Sequence, residues 1–363
     1  MAAVMNAPDL ALPALVLRDT ALDTNIRRMA GWCEQNGFLL APHGKTTMCP
    51  QIFARQMSAG ACAMTVATVP QARICLDNGI RRILIANQVA GEANIRALAA
   101  AMNRHPEAEF CCLVDSVEGV HQLSEGLKRA ATQHPLNVLI EIGKPGWRTG
   151  ARSFAQALQI FDALPGCASQ LTFRGFEAFE GLAKTPVEAQ EFLAVVADIA
   201  ERITADSSAD DLIFSAGGSS YLGPVKRIFQ QLNRRWKCVL RSGCYVTHDH
   251  GIYARQQASA LETDPTLPRF EPALELWACV QSLPDPGIAI LTFGKRNCAY
   301  DVTLPVPIDL AGGTITAIND QHAYLSYPAN VQLRVGSPLR LGISHPCTAF
   351  DKWQEIPLVD DNY

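Results

Sequence analysis

The chain has 363 residues, 48% of them hydrophobic and 18% charged, with a formal net charge of −4. That length supports one large domain plus a smaller one, and the hydrophobic share supports a substantial core. The charge balance gives no electrostatic reason to expect nucleic acid or an anionic membrane as a partner, and no uncharged apolar run reaches the length of a membrane span.

The stretch ALPALVLRD (11–19) is strand-like and precedes the main series of elements. Eight apolar runs follow: FLLAPHGKT (38–46), ACAMTVAT (61–68), RILIANQ (82–88), EFCCLVDS (109–116), NVLIEIG (137–143), LTFRGFEAFEG (171–181), LIFSAGG (212–218) and CVLRSGCYVTHD (238–249). Between them lie segments with helical spacing of Ala, Leu and Ile, such as GEANIRALAAAMNRH and PVEAQEFLAVVADIAERI. Near-continuous apolar strands alternating with helices predict a parallel sheet covered on both faces. Eight such units predict an α/β fold with a (β/α)8 TIM-type barrel over residues 20–250. A doubly wound open sheet is the alternative, but no GxGxxG follows the first run.

After Gly251 the texture changes to short β-rich runs separated by turn residues: LELWACVQSL, GIAILTFG, TITAIN, AYLSYP and PLRLGISH. Long helical patterns are absent there, so residues 251–363 predict a mostly-β domain, joined by residues 1–19. None of the twelve cysteines falls in a CxxC pair, and several (Cys62, Cys111, Cys112, Cys238) sit in apolar runs where a thiol acts as a small hydrophobe. The N-terminus lacks a basic segment leading into a long apolar core. Together these predict a reducing, cytoplasmic setting and not a disulfide framework.

Active sites of β/α barrels form at the C-terminal ends of the strands. The polar residues there are His43, Lys45 and Thr46, then Thr65 and Thr68, Asn87 and Gln88, Asp115 and Ser116, Lys144 to Arg148, and Glu177 and Glu180. The last two runs end in SAGGSSY (215–221) and RSGCYVTHDH (241–250). Gly217, Gly218 and Ser219 lead toward a helical stretch, so their N–H groups are candidates to face an anion; a plain turn is the alternative. Gly243 permits close backbone approach on the neighbouring loop. A phosphate cradle opposite Lys45 suggests pyridoxal 5'-phosphate, whose aldehyde condenses with an amine. A solvated loop lysine is the competing reading.

PHGKT (42–46), EIGKPGWRTG (141–150), SAGGSSY, RSGCYVTHD and SHPCTAFDKW (344–353) occur in this order. In these motifs, and over nearly the whole chain, the sequence resembles the D-threonine aldolase/D-serine dehydratase group of fold-type III pyridoxal-phosphate enzymes, related to alanine racemase. The resemblance implies a barrel followed by a β domain, working as a homodimer. It implies that Lys45 is the Schiff-base lysine and Arg148 contacts the cofactor ring. Gly217, Gly218, Ser219, Gly243 and Cys244 fall on the phosphate loops, with Tyr245 beside them. His345 and Cys347 match a pair that binds a catalytic Zn2+. Imidazole and thiolate are good zinc ligands, and an i, i+2 spacing on an extended strand would put both on one face. Where Cys347 stands the family's aldolases carry Asp, so the cysteine favours the dehydratases. Two departures stand out: Phe179 replaces a common tyrosine, and Thr292 and Phe293 replace the start of an Asp-Ala-Gly run.

The expected activity is therefore dehydration (deamination) of a small D-3-hydroxy amino acid, with D-serine giving pyruvate and ammonia. Retro-aldol cleavage to glycine and an aldehyde is the close alternative. A non-catalytic pyridoxal-phosphate carrier is the alternative of another class, and racemization is disfavoured because it has no use for zinc. His248-Asp249-His250 reads as a polar turn before it reads as a metal pair, and Lys144 and Lys184 read as solvated. Asp351 and Trp353 are candidate supports of the metal pair.

Overall fold

A computed structural model describes residues 11–207, 209–233 and 235–361. The chain opens with β1 (Ala14–Arg18) and α1 (Asp19–Asn36). Eight strands follow: β2 (Leu39–Leu40), β3 (Met64–Val66), β4 (Arg82–Gln88), β5 (Glu109–Val114), β6 (Leu136–Ile142), β7 (Leu171–Ala178), β8 (Leu212–Ala216) and β9 (Trp236–Leu240). Helices alternate with them: α2 (Pro50–Ser58), α3 (Val69–Asp77), α4 (Glu92–Arg104), α5 (Val117–Arg129), α6 (Phe154–Ala163), α7 (Pro186–Ile203) and α8 (Leu222–Gln231).

All eight strands are parallel, in the order β2-β9-β8-β7-β6-β5-β4-β3. The ring closes where His43 bridges Thr65 in parallel, with Cys62 N–H donating to Leu40 O at 2.8 Å and Thr65 N–H to Pro42 O at 3.0 Å. Each expected apolar run overlaps one of these strands, and the α/β barrel expectation stands. Its helices start on schedule because Thr68, Ser116, Ser153 and Thr185 each accept an N–H from the first turn of the helix they precede.

Beneath the helices, edge-to-face rings link Trp32, Phe38, Phe229, Phe214, Trp236, Phe176, Phe173 and Phe161, with successive centroids 5.0–6.3 Å apart. Such contacts add about 0.5–1.5 kcal/mol each beyond area burial. Phe176 and Phe214 are fully buried.

Among the described residues the chain forms two compact units, 30–243 with the barrel, and 11–29 with 244–361. In the second, β10 (Leu274–Asp285), β11 (Ile288–Leu291), β12 (Val306–Pro307), β13 (Thr314–Ile318), β14 (Ala323–Ser326), β15 (Pro338–Gly342) and β16 (Leu358–Val359) follow helix α9 (Ile252–Thr263). The sheet runs β12-β15-β10-β11-β14-β13, with β1 antiparallel to β10 and parallel to β16. The N-terminal strand therefore pairs into the β unit. Residues 1–10 and 362–363 of the expected β domain lie outside the described residues.

Three expectations are corrected. Helix α9 occupies a region expected to hold no long helix; it buries no residue, so it has no apolar stripe to read. The run 38–46 is strand only at Leu39–Leu40, and Lys45 sits in a 3-10 turn, Gly44–Thr46. The strand expected to run on to Asp249 stops at Leu240. No helix among the described residues is long and apolar enough to cross a membrane, and none of the twelve cysteines is in a disulfide.

Phe176 touches two members of the ring series and is fully buried. Phe176→Ala is expected to cost about 3–5 kcal/mol, read as a lower urea midpoint at unchanged m-value.

Candidate active site

Lys45 lies immediately past the closure of the barrel and its side chain is exposed. The His43 ring caps its turn: Nδ1 accepts the Lys45 N–H at 3.4 Å, so that nitrogen carries no proton. Burial holds the His43 pKa well below the ordinary histidine range, and the charges of Lys45, Arg241 and Arg148 push it the same way. His43 is thus neutral among three cations at the mouth. Gly243 lets the loop after β9 press on this turn, since a Cβ there would stand 2.5 Å from His43 O and 2.8 Å from Thr46 Oγ1.

Arg148 sits on the loop after β6. Arg152 holds that loop from within: Nη1 donates to Lys144 O and Thr149 O at 2.8 and 2.9 Å, and Nη2 to Trp147 O and Arg148 O at 3.0 and 2.8 Å. Thr149 Oγ1 donates to Glu141 Oε1 at 2.7 Å, Gln88 Nε2 donates to Glu141 Oε2 at 2.5 Å, and Gly150 N–H donates to Asp115 Oδ2 at 3.1 Å. The Arg148 guanidinium lies over the Phe179 ring, 4.6 Å from its centroid. Lys144, expected to be solvated, pairs with Glu188 at 2.6 Å.

Below the mouth is a layer of buried charge. Arg241 pairs with Glu177, donates through Nε to Ser215 Oγ at 2.9 Å and through Nη2 to Ala178 O at 3.0 Å. Burial pushes the Glu177 carboxyl up to about 8, with Glu141 and Glu180 adding to the shift and Arg241 opposing it. Its Oε2 is buried without a hydrogen-bond partner. Glu180, also fully buried, accepts Gly217 N–H at 3.0 Å and Gly218 N–H at 2.5 Å. The expected cradle is thus braced within the chain: the amides of Gly217 and Gly218 donate to the Glu180 carboxylate, and Gly243 N–H donates to Ser219 Oγ at 3.3 Å.

The expected metal pair lies in the other unit. His345 is not in a strand: its φ is 61°, and Cys347 falls in the 3-10 turn Pro346–Thr348. The extended-strand geometry is therefore wrong, because Pro346 starts a turn between the two residues. A non-glycine residue at positive φ is strained and is retained where its surroundings dictate it. Here Asp249 does so, with Oδ2 accepting His345 N–H at 2.7 Å and Oδ1 accepting the N–H groups of Gly251, Tyr253 and Ala254 at 3.0, 2.9 and 3.2 Å. The 248–250 segment is thus a turn that caps α9. His345 Nδ1 meets Asp301 Oδ2 at 2.5 Å, and Cys347 Sγ lies 3.3 Å from Cys244 Sγ. Cys244 is thereby buried against Cys347, and Tyr245 packs on Phe270, with centroids 5.6 Å apart. Trp353 donates to Asn297 O at 2.9 Å, a packing role within the β unit. No group of three or more metal-ligating side chains occurs among the described residues.

The chain is 30% identical to a D-threonine aldolase of an Arthrobacter species over 96% of this chain and 89% of the relative. It belongs to the D-threonine aldolase/D-serine dehydratase family of fold-type III pyridoxal-phosphate enzymes. A family model described as "Putative serine dehydratase domain" matches residues 273–359. The crystal structure of a D-threonine aldolase from Filomicrobium marinum superposes with a TM-score of 0.83 at 26% identity, covering 97% of this chain and 92% of that one. A cysteine-to-alanine variant of a D-threo-3-hydroxyaspartate dehydratase, described in its metal-free form, shares the fold with a TM-score of 0.76 at 21% identity, over 98% and 96% of the two chains.

Members of this family are pyridoxal-phosphate-dependent lyases, and the barrel mouth fits that cofactor. An exposed lysine follows the barrel's closure, Arg148 and Arg241 supply positive charge, and Glu177 Oε2 is a buried oxygen without a hydrogen-bond partner. For a metal, the fit is an imidazole whose Nδ1 is engaged by a carboxylate, the usual arrangement of a metal-ligating histidine with Nε2 left to bind. Sequence reasoning missed Arg241, Arg152 and Asp301, and gave Glu141 no role. The signal for the first was a charge set in a buried strand end, which needs a partner.

Because the Glu177 pKa is raised, the folded state holds a proton that the unfolded state gives up above the ordinary carboxylate range. Stability is expected to fall as pH rises from about 5 to 8, by up to about 1 kcal/mol per pH unit. Glu177→Gln should flatten this part of the profile in urea titrations at several pH values.

Proposed function

We propose that this chain is a pyridoxal-phosphate- and zinc-dependent dehydratase of D-3-hydroxy amino acids, converting a substrate such as D-serine to its 2-oxo acid and ammonia. The observation that carries this reading is the carboxylate-oriented His345 with Cys347 two residues on in the next turn, residue types suited to zinc.

Lys45 is the residue to hold the cofactor and, as a neutral amine, to take the α-proton onto Nζ. The cofactor's ring, when bound, delocalises the carbanion charge left at Cα. Arg148 would contact the cofactor, and neutral His43 avoids adding a further positive charge beside Lys45. Gly217, Gly218, Ser219, Gly243 and Cys244, on the loops after β8 and β9, are the chain's candidates for the phosphate. His345 through Nε2 and Cys347 through Sγ are the residues to hold zinc, a Lewis acid for a poor hydroxide leaving group. Asp301 fixes the imidazole and Asp249 fixes its backbone.

Retro-aldol cleavage is the second reading, favoured by the 30% identity to the Arthrobacter D-threonine aldolase. It uses the same lysine, but a base takes the β-hydroxyl proton and the Cα–Cβ bond breaks. The two separate by product. With D-serine, D-threonine and 3-hydroxy-D-aspartate, a 2-oxo acid and ammonia are expected in equal amounts, lost on chelation and restored by zinc. Glycine plus an aldehyde would overturn elimination. Lys45→Ala should abolish turnover and the visible absorbance of the bound cofactor.

A further inference from the structure

Phe179 stands just past β7, boxed by two glycines. A Cβ added to Gly181 would lie 2.5 Å from its ring, and one added to Gly217 would lie 2.9 Å from it. A side chain at either position would displace the ring, because protein interiors leave no slack of that size. Over the ring lies Arg148, its guanidinium carbon 4.6 Å from the centroid, inside the range of a cation–π contact. The Arg148 guanidinium has no hydrogen-bond acceptor among the described residues, whereas its backbone is gripped by Arg152. The backbone of this arginine is therefore fixed by hydrogen bonds and its side chain by an aromatic face.

We propose that Phe179 is a positioning residue: its ring is the platform that fixes the Arg148 guanidinium and leaves the N–H edge free for the cofactor. The proposal rests on the reading that Arg148 serves the cofactor. A stacked guanidinium keeps its donors in the plane of the group, so the ring orients them without consuming any. It also accounts for phenylalanine here, since the platform needs an aromatic face and no hydroxyl.

The test uses the full chain and two readouts. In the apoprotein, the Arg148 Nε–H signal should carry an upfield ring-current shift, lost in Phe179→Leu and kept in Phe179→Tyr. In titrations of pyridoxal phosphate into apoprotein, Phe179→Leu should weaken binding about 3- to 10-fold, while Phe179→Tyr binds as the parent does. In an Arg148→Met background, Phe179→Leu should have no further effect. An equal loss in both backgrounds would mean that Phe179 acts by packing alone, and overturns the proposal. So does an unshifted Arg148 signal in the parent protein, a result that needs no variant to fold. If the shift is present but Arg148→Met binds the cofactor normally, the cofactor reading of Arg148 fails and takes the proposal with it.

Discussion

A parallel eight-stranded ring satisfies its backbone only if its first strand bonds to a neighbour on both sides, and here that strand is two residues long. On one side β2 pairs with β9 in the ordinary way. On the other, closure passes to irregular chain: Leu40 O, Ala41 O and Pro42 O accept from Cys62 N–H, Thr65 Oγ1 and Thr65 N–H at 2.8, 2.6 and 3.0 Å. His43 makes the last bridge, and Lys45 is two residues further on. The amine's position thus follows from barrel closure, and the loop after β9 reinforces it, with His43 N–H donating to Ser242 O at 3.4 Å and Gly243 lying against His43 and Thr46.

The layer beneath the mouth has a different rationale. Buried ion pairs are weak sources of stability, because desolvation offsets most of the attraction. A barrel interior filled with aliphatic side chains would fold at least as well. Glu141, Glu177, Glu180 and Arg241 are instead held by Thr149, Gln88, Ser215, Ala178 O and two glycine amides. Only Glu177 Oε2 is left over. A network this nearly satisfied, with one polar atom left unpaired, is the form expected of a site prepared for a polar ligand.

Much of this was legible in the sequence. The eight barrel strands announced themselves because strands buried on both faces are apolar without interruption, as in RILIANQ for β4. Helix α9 did not, since IYARQQASALET buries nothing and so carries no periodicity. Lys45 could be singled out as an isolated charge after an apolar run. The commitment of the Gly217 and Gly218 amides to Glu180 could not, because a glycine pair reads the same whether its partner is a ligand or a carboxylate across the barrel mouth. The geometry assumed for the metal pair failed in a narrower way. An i, i+2 spacing was legible, but the turn at Pro346 and the positive φ of His345 depend on Asp249, 96 residues away.

One guanidinium serves as the scaffold of a whole loop. Arg152 gathers the carbonyls of Lys144, Trp147, Thr149 and Arg148 onto two nitrogens. Four oxygens meeting two nitrogens leave no spare chain between them. Surface loops ordinarily accept insertions because their length costs little entropy and their backbone faces water. This loop's backbone is turned inward, so its residue count is part of its structure. Lineages descended from this protein should drift freely in the side chain of Pro145, keep glycine at 146 where φ is 81°, and keep the number of residues between Lys144 and Arg152 unchanged.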